Sequence, residues 1–397
     1  MRHSQMLSLL ALPLVGAISL PLLASNASTA TASPRKAPPM GTLLAELQAS
    51  DSGGEDGFGQ AVAISGTTAV MGAVGAAPDG RAYVFTETAA GWKQTAELKG
   101  SDTAEHFGVS TAISGTTVVV GALGNGTNDA GRAYVFTKTA SGWKQVAKLK
   151  GSDTMAADSF GRSVAVSGTT VVVGAYGHAQ DTGRAYVFTK TAAGWKQAAE
   201  LKGSDSVGDY FGFSVAISGT TAVVGAWHYG TGEDYDAGRA YVFTKATAGW
   251  KQVAELKGSD TVGDDQFGGS VAISGTTAVV GEYQQQPTSQ AGRAYVFTKT
   301  AAGWRQAAEL KGSDTIVRDG FGYSVAISGT TAVVAAPGHA SGSGRVYVFT
   351  KVGTDWRQVA ELKDSRIFGD DSFGISVAIA GTTALVGALL WTCVFEV

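Results

Sequence analysis

A sixteen-residue stretch, FGFSVAISGTTAVVGA at 211–226, constrains this chain more than anything else in it, because close copies of it occur seven times. The copies start at Phe58, Phe107, Phe160, Phe211, Phe267, Phe321 and Phe373. From each Phe to the Gly of the closing Gly-Ala, or its equivalent, is 14 positions, with no insertion in any copy. A fixed period of roughly 50 residues means that one supersecondary unit is stacked again and again. With 397 residues the chain is long enough for two or three domains, but the repeat argues for one closed body.

Each unit reads as four strands. In the copy at 211–258, the apolar run Ser214–Ser218 stops at a Gly219-Thr220 turn, and Thr221–Ala226 follows at once as its hairpin partner. After a variable loop, Gly238–Thr244 (GRAYVFT) supplies a third strand, and Trp250–Lys257 (WKQVAELK) a fourth. No window carries a sustained helical stripe. Gly is abundant at 55 residues and charge sparse at 16%, as many short strands and tight turns require. Four antiparallel strands repeated radially describe an all-β seven-bladed β-propeller.

The two ends of the chain supply the closure. The seventh copy stops after three strands, at LLWTCVFEV, while TLLAELQASD (Thr42–Asp51) aligns letter by letter with KQVAELKGSD (Lys251–Asp260). Leu44 then falls on Val253 and Leu47 on Leu256, and both leucines are expected to be buried. The N-terminal strand is thus expected to complete the last blade, leaving no unmatched sheet edge and favouring a monomer.

The copies resemble FG-GAP repeats, the units of the propeller at the N-terminus of integrin α-subunits and of many bacterial secreted and surface proteins. Phe58-Gly59 and its six equivalents supply the first half of that pattern, and Gly72-Ala73, Gly121-Ala122, Gly174-Ala175, Gly225-Ala226 and Gly387-Ala388 the second. Ala335-Ala336-Pro337-Gly338 carries the fullest ending, and copy five departs with Gly281-Glu282. The resemblance covers residues 42–397 and implies a binding or adhesion module. Many such propellers hold calcium in an acidic loop of the first hairpin, which needs several oxygen ligands. Here that turn is Ser-Gly-Thr-Thr or close to it in every copy, without a carboxylate, so the site does not carry over.

The opening residues read as an export signal: Arg2, then an apolar core over Met6–Ala24, then small residues around Ala27. Residues 1–27 are taken as a cleaved signal peptide, 28–40 as a Pro-rich leader and 41–397 as the propeller, giving a secreted protein with no membrane span after cleavage. A net charge of −3 and the lack of a basic run speak against a nucleic-acid partner. The single cysteine, Cys393, permits no internal disulfide and is read as a small buried apolar residue.

Variation among the copies points to the working surface. The gap between second and third strands runs 8, 10, 9, 13, 11 and 9 positions over the first six copies, and the link from fourth strand to the next Phe also varies. Both loops leave an up-and-down blade on one face, while the near-constant SGTT and TAAGW turns leave on the other. Tyr176, His178, Trp227, His228, Tyr229, Glu282, Tyr283 and His339 lie in loops of the variable face and are the candidate ligand-binding residues. Glu233, Asp234 and Asp236 are the one candidate for calcium, weighed against a solvated acidic loop. His178, His228 and His339 could also converge on a metal, although their spacing does not require it.

Features present in nearly every blade read as structural. These are the Asp before Phe-Gly, the Asp after the fourth strand, the Arg opening the third strand, and Trp92, Trp143, Trp195, Trp250, Trp304 and Trp356 opening the fourth. Local Arg–Asp pairing and packing of tryptophan between blades are the expectations. No G-x-S-x-G elbow, H-E-x-x-H or phosphate-binding glycine loop occurs. The sequence therefore supports a non-catalytic module for an extracellular protein or glycan. A lectin is the alternative, and a polysaccharide-cleaving enzyme a more distant one.

Overall fold

A computed structural model describes residues 38–397, apart from 52, 54–55, 103–105, 125–128, 206–207, 229–236, 284–290 and 365–371. The stretch read as a signal peptide (1–27) and most of that read as a leader (28–40) therefore lie outside the described residues. So do Tyr229 and the acidic run Glu233, Asp234 and Asp236.

The described residues build seven four-stranded antiparallel sheets, each in the order first–second–third–fourth strand. In blade 4 these are Ser214–Ser218, Thr221–Ala226, Arg239–Ala246 and Gly249–Leu256. The second strands of blades 1 to 4 are buried along their whole length because sheets cover both faces, and those of blades 5 to 7 all but their first residue, whereas the fourth strands alternate exposed with covered residues at the rim. First strands of successive blades lie beside one another around a common axial cavity.

Closure occurs where the alignment places it. Leu43–Leu47 pairs antiparallel with Thr392–Glu396, with Ala45 opposite Val394 and Leu47 opposite Thr392, so the last blade draws its outer strand from the other end of the chain. The expectation of two buried leucines is corrected. Leu47 is 3% exposed, inside an apolar cluster shared by blades 7 and 1, but Leu44 is 40% exposed. The reason is a β-bulge between Leu43 and Ala45. The equivalent bulge recurs in blades 1 to 6, for example where Val242 and Phe243 face Ala254 and Gln252, leaving Val253 unpaired and exposed. The letter-by-letter alignment was therefore right, but the aligned position faces solvent.

The Phe-Gly and Gly-Ala dipeptides are the seams between blades. A Cβ on Gly72 would collide with the carbonyl oxygen of Gly108 in the next blade, and the same holds for Gly121 on Gly161, Gly174 on Gly212, Gly225 on Gly268 and Gly387 on Gly59. Only glycine lets the two backbones approach so closely. Beside these contacts, the hydroxyls of Ser110, Ser163, Ser214, Ser270 and Ser376 donate to the glycine carbonyls of Gly161, Gly212, Gly268, Gly322 and Gly59 at 2.7–2.8 Å. The last of these bonds joins blade 7 to blade 1. Each Phe is buried and packs at 5.4–5.7 Å on the third-strand Tyr of its own blade in blades 1 to 6.

Candidate functional site

The same Phe-Gly dipeptide also shapes the opening of the axial cavity. In all seven copies the residue before Phe is left-handed: Gly57, His106, Ser159, Tyr210, Gln266, Gly320 and Ser372 have φ between 53° and 66°. The glycine after Phe is also left-handed, with φ of 90–99°, as the third position of a type II turn demands. The turn is closed by the next N–H, for example Arg162 to the Ser159 carbonyl at 3.1 Å and Phe213 to the Tyr210 carbonyl at 3.1 Å. Five of the seven left-handed residues before Phe are not glycine, and strain of this kind concentrates at functional sites.

This turn delivers the residue after Gly to the axis at the variable face. Gln60, Val109, Arg162, Phe213, Gly269, Tyr323 and Ile375 occupy the position in blades 1 to 7, a different residue in each. Together with Tyr283 and the residues that follow in each first strand, they line a cavity of about 380 Å3 at the mouth of the axis. The Phe-Gly dipeptide before this position and the first-strand residues after it are nearly constant, so this one residue of the strand entry is individual to each blade.

On one side the mouth is aromatic and cationic. The Arg162 guanidinium lies 4.6 Å from the Phe213 ring centroid. Phe213 meets Tyr176 and Trp227 edge-on at 5.6 Å, and Tyr210 stacks on Trp227 at 5.4 Å with 12° between planes. His228 tilts against Tyr210 at 5.0 Å. Across the mouth Tyr283 fills the space a side chain at position 269 would need and meets Tyr323 at 5.1 Å. Burial pushes the Tyr283 hydroxyl up to about 12, with Tyr323 adding to the rise and Arg162 opposing it. Of the proposed ligand residues, the structure thus gathers Tyr176, Trp227, His228 and Tyr283 at or beside the mouth. Sequence comparison by loop length missed Gln60, Arg162, Tyr210, Phe213 and Tyr323. The blade-by-blade change at the position after Phe-Gly was the available signal.

The remaining candidates are turned inward. His178 and His339 are buried, and their Nδ1 atoms donate to Asp158 and Asp319 at 2.7 Å. Both histidines start tight turns, His178–Asp181 and His339–Gly342, whose central residues are left-handed. Glu282 is also buried, and it accepts a hydrogen bond from Thr261 at 2.8 Å. Desolvation and then repulsion by buried Asp265 raise its pKa to about 8, against the pull of Thr261 and Arg293. His178, His228 and His339 do not converge: among the described residues the only cluster with metal-ligand chemistry is Glu46, Asp364 and Cys393. Cys393 is buried, as read, and its thiol sits 3.4 Å from Asp364.

The features repeated in every blade are structural, with one change of partner. Arg81, Arg184, Arg239 and Arg293 reach the fourth-strand carboxylates Glu97, Glu200, Glu255 and Glu309 at 2.6–2.9 Å, and the expected Arg–Asp pairing is added in blade 5, where Arg293 also meets Asp260 at 2.8 Å. Blade 2 carries Lys148 at that place, so Arg132 turns to Asp129 instead. The Asp after the fourth strand accepts the next blade's Tyr hydroxyl, as Tyr134 donates to Asp102 at 2.7 Å and Tyr241 to Asp205 at 2.8 Å. The six fourth-strand tryptophans pack, partly buried, on clusters that span two blades.

Seven sheets in a ring, seamed by Phe-Gly and Gly-Ala, define the class: a seven-bladed β-propeller. A family model described as FG-GAP repeat matches residues 42–85, 92–136, 143–188, 195–243, 250–297, 304–349 and 356–391, and the chain belongs to that family. Each matched segment runs from the fourth strand of one blade towards the third strand of the next, the last stopping at residue 391 just before Thr392–Glu396, and this is the same offset that sews the ring shut. Propellers of this family are a common protein-binding module and typically non-catalytic. No curated protein matches the chain. Among solved structures, it is similar to the crystal structure of Saccharomyces cerevisiae Sqt1, with a TM-score of 0.52 and 11% identity. The alignment covers 90% of this chain and 100% of that one, and it bears on fold alone.

Proposed function

We propose that the protein is exported and acts as a non-catalytic module that holds a partner protein on its variable face. One observation carries the reading. The loops leading into blades 3, 5 and 6 each present an apolar side chain to solvent at one equivalent position. Met155 is 65% exposed, Val262 53% and Ile316 66%. Exposed apolar groups repeated on one face favour an interaction surface, because covering them with a partner removes their surface from water. They share the variable face with a mouth whose residues are individual to each blade, as recognition requires.

The lectin reading is weaker. One face of Trp227 is covered by Tyr210, and its indole nitrogen is buried without a hydrogen-bond partner, which leaves a poor platform for a sugar. The test uses the immobilised chain as bait for surface proteins of its own source and on a glycan array. The Met155→Asp/Ile316→Asp double variant should lose the partner, while Ala302→Asp on the opposite face should keep it. Equal capture by both variants, or a glycan signal unaffected by either, would count against the reading. Mass spectrometry of the secreted chain tests export: a mature N-terminus near residue 28 supports it, and an intact Met1 contradicts it.

A further inference from the structure

Arg162 is the one cation among the residues lining the mouth, and among the described residues it has no carboxylate within salt-bridge distance. The third-strand arginines of blades 1 to 5 each hold at least one. Its guanidinium instead rests on the Phe213 ring, in a cavity that Tyr283 and Tyr323 also line. Around it the wall mixes valine and isoleucine, such as Val62, Val109, Val215 and Ile375, with serine, threonine and tyrosine hydroxyls. The serine hydroxyls at the wall already donate to neighbouring blades. The Gln60 Oε1 and Thr111 Oγ1 atoms are buried with no hydrogen-bond partner.

We infer that the axial mouth receives a single carboxylate carried on an apolar stem, supplied by the partner protein and clamped by Arg162. A guanidinium facing an aromatic wall in a half-apolar cup is matched by a planar anion that can take its forked donors. An acidic sugar also has the anion, but the exposed apolar side chains Met155, Val262 and Ile316 in the loops of the same face favour a polypeptide over a glycan. A cavity of about 380 Å3 holds an acidic side chain with its neighbours, or a chain's C-terminal residue. The apolar rim of Met155, Val262 and Ile316 would cover the flanking residues. This inference rests on the variable-face reading and names the chemistry of its centre.

The experiment pans a phage-displayed heptapeptide library on the intact propeller. Each enriched peptide is then remade with its Asp or Glu as Asn or Gln. A free-acid tetrapeptide of leucine and alanine, compared with its C-terminal amide, reports the alternative source of the carboxylate. Enriched peptides should carry one acidic residue beside apolar ones. Amidation and Arg162→Gln should each weaken binding at least tenfold, with little added loss when combined, and Arg162→Lys should retain part of the affinity. The melting temperature of Arg162→Gln should match the parent. Peptides that bind parent and Arg162→Gln alike but fail on Ile316→Asp would overturn the carboxylate clamp and leave the variable-face reading standing. A library yielding no Arg162-dependent binder, or a uronate glycan bound in preference to every peptide, would overturn it as well.

Discussion

Two leucines three residues apart provide the sharpest energetic contrast in the molecule. Leu47 lies at 3% exposure against Leu385, Val394, Phe58 and Met71, bridging the last blade to the first. Leu44 sits on the bulge and faces solvent. Truncating a buried leucine costs its transfer free energy plus that of the cavity left behind, about 2–5 kcal/mol, and the shared inter-blade cluster puts Leu47→Ala near about 3 kcal/mol. Leu44→Ala should stay within about 0.5 kcal/mol. Unfolding entropy of about 2 cal/mol/K per residue over the roughly 360 residues of the propeller turns about 3 kcal/mol into a fall of about 4 °C in Tm. Calorimetry resolves that difference, and urea midpoints should order the two variants the same way. Equal losses from both variants, or none from Leu47→Ala, would refute the assignment of the closing strand's inward face.

Gly387→Ala drives a methyl group into the Gly59 carbonyl at the closing seam and should cost about 1–3 kcal/mol or more, whereas Ser376→Ala loses one hydrogen bond there and should cost about 1 kcal/mol; denaturant midpoints compare them. Glu282 makes stability depend on pH. An acid raised from its ordinary 4.5 to about 8 by folding binds its proton more tightly in the folded state, so its contribution is full below pH 4.5 and lost as pH rises through about 8. Glu282→Gln should therefore flatten the decline in Tm between about pH 5 and 8, and an unchanged slope would contradict the burial of that carboxylate.

The fold was legible because its determinants are local and repeated. Glycine at a seam, β-branched runs and tight turns recur in phase, and TLLAELQASD announced the closure by matching six other fourth strands. Side-chain direction was less legible. Leu44 has the letters of a packed strand, but a bulge common to the outer strands turns it outward, and a bulge leaves no mark in composition. His178 and His339 belong to loops of the variable face, yet they occupy the same place in two loops of equal length, and that sameness is the mark of a structural role. Loop length locates where blades differ, not what reaches the axis. Arg162 and Phe213 emerged once the turn around Phe-Gly showed which residue it aims inward.

The chain's own cysteine offers the most direct test of the closed ring. Glu46 lies directly opposite Cys393 across the seam, and facing residues of an antiparallel pair have Cα atoms about 4.5–5.5 Å apart, within reach of a disulfide. Glu46→Cys should oxidise to a single intramolecular disulfide in the folded protein, seen as a loss of about 2 Da and no titratable thiol, with a raised Tm as the covalent ring resists opening. Two free thiols in the folded, oxidised variant, or a disulfide-linked dimer in place of the monomer, would show that the two ends do not meet as the account requires.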